Sequence, residues 1–238
     1  MIELSKLNVK IFADGADKQG MLEMYRQPYI QGLTTNPTLM KKAGISDYRG
    51  FCKEILKDIQ DKPLSFEVFS DDWYEMERQA NEIASWGSNV YVKIPITNTQ
   101  RESCYPLVKR LTTQGVKVNV TAIMTMQQIE RVADHLTPGI PSYVSVFAGR
   151  IADTGRDPVP LMNAAVERLK RISGAELIWA SPRELLNIIH ADSIGCHVIT
   201  VTNDILKKLE LLNRDLEDYS LDTVKMFRVD AVAAGFQL

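Results

Sequence analysis

The chain has 238 residues, of which 45% are hydrophobic, and its 28 Lys and Arg against 30 Asp and Glu give a formal net charge of −2. This is the composition of a globular protein long enough for one large core, and the balanced charge excludes a general attraction to nucleic acid or to an anionic membrane. No apolar run approaches the roughly 20 residues of a membrane span, and the N-terminal residues lack the apolar core of a signal peptide.

The chain alternates between short β-branched runs and longer amphipathic stretches. The runs predict strands at 9–14, 30–36, 64–69, 90–95, 117–122, 143–147, 176–181 and 198–201. The stretches predict helices near 17–26, 47–59, 72–86, 100–114, 126–134, 158–171, 183–190 and 203–212. Eight strands, each followed by a helix, predict an α/β protein made of a single (β/α)8 TIM barrel domain over residues 1–238. An open doubly wound sheet is the alternative, but no GxGxxG follows the first strand.

A further amphipathic stretch follows the eighth unit. Residues 221–236 carry Val224, Phe227, Ala231 and Ala234 at helical spacing. This predicts an extra C-terminal helix, at about 220–236, with an apolar face. That face would pack either on its own barrel or on a neighbouring subunit.

The cysteines and histidines bear on redox state and on metals. The three cysteines lie far apart and include no Cys-x-x-Cys pair, which predicts free thiols in a reducing cytoplasm. The three histidines show no spacing typical of zinc ligands. We therefore expect a cytoplasmic protein with neither a bound metal nor another cofactor.

Alternation along the predicted strands separates residues that face the helices from residues that face the barrel interior. In the fourth strand Val92 and Ile94 suit packing under helices, which directs Lys93 inward with Tyr91 and Asn89. The same sorting gives an inward polar set near the C-terminal ends of seven strands: Asp14, Thr34, Asn36, Glu67, Lys93, Asn119, Thr121, Ser145 and Ser181. In barrel enzymes this face carries the active site. A structural Lys–Glu pair that fills the barrel centre is the alternative.

A lysine inside a barrel has a definite chemical use. Burial disfavours its charged form, and the neutral amine can attack a carbonyl and form a Schiff base. The protonated imine is an electron sink, so a neighbouring bond can break without a metal. Asp14 and Glu67 lie in different surroundings and can divide the acid and base work. The inward set thus predicts carbonyl chemistry at Lys93.

Seven sequence motifs resemble those of one enzyme family. In chain order they read FADGAD, GLTTNPTLM, SFEVF, VYVKIPIT, VNVTAIMT, SVFAGRIAD and ASPRE. These motifs, in this order and at barrel spacing, are similar to those of the transaldolase family. The short chain resembles the compact branch, which includes fructose-6-phosphate aldolase.

The resemblance implies a role for each motif residue. Lys93 would form the Schiff base with a ketose donor, Asp14 would move the C4 hydroxyl proton, and Glu67 with Thr121 would hold a water that handles protons. Asn36, Asn119 and Ser145 would bind the dihydroxyacetone hydroxyls, and Arg150, Ser181 and Arg183 would hold the distal phosphate. Thr34 and Phe147 would be further substrate-binding residues. The resemblance also implies an aldehyde sugar as acceptor, a place in carbohydrate metabolism such as the pentose phosphate pathway, and a homo-oligomer.

Several alternatives remain open at this point. Arg150 could instead form a surface ion pair with Asp153, and Thr-Thr-Asn-Pro could be only a strand-ending turn. Pro182 stands where the family usually has an aromatic residue, so the distal anion could be a sulfonate, as in 6-deoxy-6-sulfofructose. The reaction could also be aldol cleavage of the fructose-6-phosphate aldolase kind. A non-catalytic barrel that binds sugar phosphates is the alternative from a different class.

Overall fold

The computed structural model describes residues 2–237, and its eight strands form a closed parallel barrel in the order of the chain. The strands are Lys10–Asp14 (β1), Ile30–Thr34 (β2), Leu64–Glu67 (β3), Val90–Pro95 (β4), Val118–Ile123 (β5), Ser142–Val146 (β6), Ala175–Trp179 (β7) and Val198–Thr202 (β8). β1 pairs with both β2 and β8, which closes the barrel. The predicted (β/α)8 barrel is confirmed.

Helices connect the strands and surround the barrel. They are Lys18–Tyr25 (α1), Pro37–Lys42 (α2), Tyr48–Asp58 (α3), Trp73–Ala84 (α4), Tyr105–Thr113 (α5), Met126–His135 (α6), Ala148–Asp153 (α7), Val159–Leu169 (α8), Leu186–Ser193 (α9), Asn203–Leu206 (α10) and Leu216–Ala233 (α11). Two 3-10 helices, Leu4–Lys6 and Lys207–Leu211, complete the set among the described residues.

Two short helices were not predicted, and both lie at the C-terminal face of the barrel. α2 begins at Pro37, whose fixed backbone suits a first helical position, and Asn36 caps it. α7 follows β6 directly, with Phe147 at its N-terminal boundary. Each has six residues, too few for apolar periodicity to reveal a helix. The stretch predicted as strand around Asn36 and Phe147 therefore ends earlier, at Thr34 and Val146.

The strands present different side chains to their two faces, as alternation predicts. Val92 and Ile94 of β4 belong to the core between barrel and helices. Tyr91 instead lies inside the barrel, in a small cluster with Phe12 and Tyr143. The Tyr91 and Tyr143 rings are stacked with centroids 4.3 Å apart. This aromatic cluster fills the barrel interior toward the N-terminal ends of the strands. The polar groups lie toward the C-terminal ends. Asn89 precedes β4, where its amide donates to the Ile59 and Lys62 carbonyls.

The C-terminal helix α11 projects from the barrel. It begins at Leu216, earlier than predicted, where Asp215 caps it, and none of its residues is buried. Its exposed apolar side chains are Leu216, Tyr219, Leu221, Val224, Met226, Phe227, Val229 and Val232. This arrangement contradicts the alternative that the helix packs on its own barrel. Within residues 2–237, no helix has the length and apolarity needed to cross a membrane.

Candidate active site

Lys93 lies inside the barrel on β4, with only 7% of its surface exposed. Its Nζ is 3.2 Å from Oε2 of Glu67 and donates a hydrogen bond of 2.9 Å to the carbonyl oxygen of Thr35. Glu67 is the direct neighbour of Lys93 in the β3–β4 register. A buried amine is costly without such partners, and here two acceptors satisfy it. The structure thus brings the predicted lysine and glutamate together.

Asp14 ends β1 beside this pair. Its Oδ1 accepts a 2.7 Å hydrogen bond from the Thr34 hydroxyl, which lies 2.5 Å from the hydroxyl of Thr200. Burial raises the pKa of Asp14, while the charge of Lys93 and the Thr34 hydrogen bond oppose this rise. Thr200 was not among the predicted site residues. Alternation in β8 could have found it, because its neighbours Ile199 and Val201 face the outer core.

Asn119 and Ser145 form a second buried polar group across β5 and β6. The Ser145 hydroxyl donates to Asn119 Oδ1 at 2.7 Å, and Asn119 Nδ2 lies 3.1 Å from the hydroxyl oxygen of Ser65. The hydrogen bonds fix the orientation of the Asn119 amide. These hydrogen bonds therefore join β3, β5 and β6 inside the barrel, and Lys93 of the intervening β4 pairs with Asn119 in the strand register.

Thr121 has an unusual environment. Its hydroxyl is buried and has no hydrogen-bond partner among the residues that the structure describes. The next residue, Ala122, adopts a positive φ of 62°, and the β5–β6 register shifts at this point. Such an irregularity re-aims a side chain at the end of a strand. The hydroxyl of Thr121 is free to bind a water or a ligand.

The predicted anion-binding residues lie on α7 and in the loop after β7. The exposed guanidinium of Arg150 lies over the ring of Phe147, 5.5 Å from its centroid. Arg183 forms a two-pronged ion pair with Asp153, with a 2.9 Å bond from Nε to Oδ1. The ion pair with Asp153 that was considered for Arg150 is therefore made by Arg183. Ser181, between these elements, has a left-handed backbone with φ of 59°.

Asn36 has a local structural role. Its Oδ1 accepts a 3.0 Å hydrogen bond from the Leu39 backbone N–H and caps α2. A cavity of about 420 Å³ opens nearby, bordered by Asp14, Leu39 and Lys42. Over residues 2–237, no group of three or more His, Cys, Asp or Glu side chains could hold a metal ion.

The chain is similar in sequence to known proteins over nearly its whole length. The family described as "Transaldolase/Fructose-6-phosphate aldolase" matches residues 11–237. A probable transaldolase of Dehalococcoides mccartyi is 33% identical over 211 residues, covering 88% of this chain and 93% of that protein. A probable transaldolase of Thermoanaerobacter sp. is 33% identical over 231 residues, covering 97% of this chain and 100% of that protein.

Solved structures share the fold at low sequence identity. The tryptophan synthase A-subunit of Pyrococcus furiosus has a TM-score of 0.56 and 13% identity, covering 89% of this chain and 94% of that chain. A mandelate oxidase mutant has the same TM-score and identity, covering 85% and 71%. These likenesses concern the barrel alone. The family match and the probable transaldolases extend over nearly the whole sequence, and the chain belongs to the transaldolase/fructose-6-phosphate aldolase family.

Proposed function

We propose that this protein is a transaldolase that transfers a dihydroxyacetone unit from a ketose phosphate to an aldehyde sugar acceptor through a Schiff base on Lys93. The observation that carries the proposal is the buried Lys93 amine, held between Glu67 and the Thr35 carbonyl at the C-terminal end of the barrel. A barrel that only binds sugar phosphates has no need of this amine.

Schiff-base formation needs a neutral amine and a route for protons. Glu67 Oε2, 3.2 Å from Nζ, can accept the proton that Lys93 gives up. The amine then attacks the C2 carbonyl of the ketose, and loss of water from the carbinolamine gives the iminium ion. The unpartnered hydroxyl of Thr121 and the Glu67 carboxylate are suited to hold the water that exchanges these protons.

Cleavage of the C3–C4 bond requires a base for the C4 hydroxyl. The Asp14 carboxyl has a raised pKa because of burial, which makes it a better proton acceptor than an exposed aspartate. It takes the hydroxyl proton as the electron pair of the C3–C4 bond moves into the iminium, giving an enamine and a free aldehyde. In the reverse direction the enamine attacks the acceptor aldehyde, and Asp14 returns the proton. The hydrogen bond from Thr34 holds the carboxyl in place.

The polar groups around Lys93 would bind the hydroxyls of the three-carbon unit. Ser145 and Asn119 are already oriented by their mutual hydrogen bond, so little order is lost on binding. Asn36 would bind through its amide Nδ2, because its Oδ1 caps α2. Phe147 borders the inner cluster and would cover the apolar edge of the sugar.

The distal anion would bind at Arg150, with Ser181 and Arg183 beside it. Arg150 is exposed and its charge faces an aromatic ring, so it is available to a phosphate. Arg183 would share its guanidinium between Asp153 and the substrate. Because the Asp153 carboxylate reduces the positive charge here, a singly charged sulfonate such as that of 6-deoxy-6-sulfofructose is the second candidate for this anion.

Group transfer is preferred over cleavage to free dihydroxyacetone. In the fructose-6-phosphate aldolase branch we expect a glutamine at the position of Glu67 and a tyrosine at that of Phe147. Phe147 has no hydroxyl with which to protonate the enamine. The enamine on Lys93 would therefore persist until an acceptor aldehyde arrives.

We also propose that the protein is a cytoplasmic homo-oligomer. The apolar side chains of α11 are exposed along its whole length, and a second copy of the chain is the partner that would cover them. The three cysteines are free and buried, as suits a reducing compartment.

Borohydride trapping tests the chemistry. The protein is incubated with fructose 6-phosphate and borohydride, and mass spectrometry of peptides locates the added dihydroxyacetone unit or sugar. We expect an adduct on Lys93 and none on Lys93→Met, which replaces the amine with an uncharged chain of similar volume. An unmodified Lys93 after exposure to phosphorylated and sulfonated ketoses would overturn the proposed function.

A further inference from the structure

The backbone of Glu67 lies where the barrel ladder between β2 and β3 stops. Leu33 N–H bonds to Pro63 O and Thr35 N–H bonds to Ser65 O, so alternate residues of β3 direct their backbone groups toward β2. Glu67 continues this alternation. The β2 residue that would come next is Pro37, which has no N–H and already belongs to α2.

The hydroxyl of Tyr48 occupies the place of the missing strand. It donates to the Glu67 carbonyl oxygen at 2.7 Å and accepts from the Glu67 backbone N–H at 2.8 Å. One side chain thus satisfies both backbone groups of the residue whose carboxylate faces Lys93. Tyr48 is the first residue of α3, the helix that precedes β3, and lies 19 residues before Glu67.

The Tyr48 ring is itself held in place. Phe69 packs edge-on against it with centroids 5.4 Å apart, and Trp86 lies 6.4 Å away. Burial raises the pKa of Tyr48 well above its usual range, so the hydroxyl keeps its proton and can donate at all working pH values. The two hydrogen bonds are therefore a fixed feature of the barrel.

We propose that Tyr48 is a positioning residue for Glu67, and this inference rests on the proposed function. By fixing the backbone at the end of β3, the Tyr48 hydroxyl sets where the Glu67 carboxylate stands relative to the amine of Lys93. Without the hydroxyl, the backbone N–H and carbonyl of Glu67 lose their hydrogen-bond partner on the β2 side, and the carboxylate loses its alignment. The rate of proton transfer falls, while donor binding depends on other groups.

Tyr48→Phe removes the hydroxyl and keeps the ring. We expect kcat to fall by about 10- to 100-fold, as for a small misplacement of a reacting group, with little change in KM for the donor. Hydrogen exchange of the Glu67 amide should become faster than in the unmodified protein. The control is Tyr74→Phe, at a tyrosine that is 81% exposed, which should change neither quantity.

A double-mutant cycle separates positioning from a general loss of structure. If Tyr48 acts through the Glu67 carboxylate, Tyr48→Phe should cost almost nothing in kcat once Glu67→Gln is present. Equal losses in both backgrounds would overturn the inference. Should Tyr48→Phe not fold, Phe69→Ala at its exposed position loosens the Tyr48 ring, and the same cycle applies with a smaller loss.

The borohydride adduct of the unmodified protein distinguishes this inference from the proposed function. No adduct on Lys93 would overturn both. An adduct on Lys93, together with a loss from Tyr48→Phe that persists in the Glu67→Gln background, would overturn only the role of Tyr48. An adduct together with a loss that disappears in that background supports both.

Discussion

The carbonyl oxygen of Ser181 lies 1.6 Å from the point where a β-carbon on Gly149 would stand. Only a glycine lets α7 approach the loop after β7 this closely. Gly149 precedes Arg150, so the close approach holds the part of α7 that carries Arg150 against the loop of Ser181 and Arg183. The arrangement of the proposed anion-binding residues on α7 and in the loop after β7 therefore depends on the missing side chain of Gly149.

Gly149→Ala should disturb this junction. The added methyl must push the loop or the helix away, which we expect to lower the free energy of unfolding by about 1–3 kcal/mol. It should also raise KM for a phosphorylated donor, because Arg150 moves relative to Ser181. Chemical denaturation and steady-state kinetics measure the two effects. Gly15→Ala is the steric control for stability, since its β-carbon would meet nothing closer than 3.9 Å; equal unfolding free energies for the two variants would contradict the prediction.

Asp14 should make the barrel less stable as the pH rises. Its pKa in the folded protein is above the usual 3.8, so the folded state holds this proton more tightly than the unfolded chain does. Stability from this group is present at low pH and is lost as the pH rises from 3.8 through the folded pKa. Asp14→Asn should therefore raise the free energy of unfolding at pH 7 while abolishing turnover, and the gain should disappear below the unfolded pKa.

Asp71 provides a control of opposite sign. Hydrogen bonds from Thr99 lower its pKa, so its contribution to stability is present at neutral pH and is lost in acid. Asp71→Asn should lower the free energy of unfolding at pH 7. Denaturation curves at several pH values measure both variants. A stability gain for Asp14→Asn that is independent of pH would show that its charge is not the cause.

Arg150 should discriminate between charged and neutral donors. Arg150→Ala removes the guanidinium that is free to bind an anion, and we expect a loss of about 2–4 kcal/mol in kcat/KM for a phosphorylated ketose. Fructose and dihydroxyacetone, which carry no anion, should lose much less. Arg156→Ala is the matched control, because this exposed arginine makes a hydrogen bond only to Thr154 among the described residues. Equal losses for charged and neutral donors would assign Arg150 a structural role.

Much of the barrel interior could be predicted from the sequence, because a strand has only two faces. Apolar β-branched residues at alternate positions direct the residues between them inward, which is how Lys93 and Asn119 were predicted to lie inside the barrel. Tyr48 could not be predicted this way, since it acts from a helix on the backbone of Glu67. A side chain that hydrogen-bonds to the backbone of another residue leaves no pattern in the sequence.

The ion pair between Arg183 and Asp153 could not be predicted from the sequence either. Asp153 is three residues after Arg150, yet it pairs with Arg183 from another loop. Long exposed side chains reach several partners of similar energy, and only the packing of α7 against the β7 loop decides between them. The helix α2 could not be predicted either, because six residues are too few to show apolar periodicity. Asn36 was therefore predicted at the end of a strand, whereas it caps α2.

The exposed face of α11 should be covered in solution by a second copy of the chain. We expect light scattering of the full chain to give a mass of two or more subunits, and a version that ends at Arg214 to be monomeric. The cut leaves intact the hydrogen bonds between Asn213 and Ile2 that hold this end of the chain to the N-terminal segment. Circular dichroism of the shortened protein checks that the barrel remains folded. A monomeric full-length protein would contradict the proposal.

Phe147 should decide between group transfer and release of free dihydroxyacetone. It directly follows β6, at the C-terminal face of the barrel, and its ring packs against the inner aromatic cluster. An enamine on Lys93 needs a proton donor to leave as dihydroxyacetone, and a phenylalanine ring supplies none. Phe147→Tyr adds a hydroxyl at this position and should raise release of dihydroxyacetone about tenfold or more, as expected for a positioned general acid.

Dihydroxyacetone is measured with fructose 6-phosphate alone and with an added aldehyde acceptor, which competes for the enamine in both proteins. Tyr74→Phe, at an exposed tyrosine, is the control for effects of expression and purification. Fast release from the unmodified protein without any acceptor would contradict the transaldolase assignment and favour an aldolase.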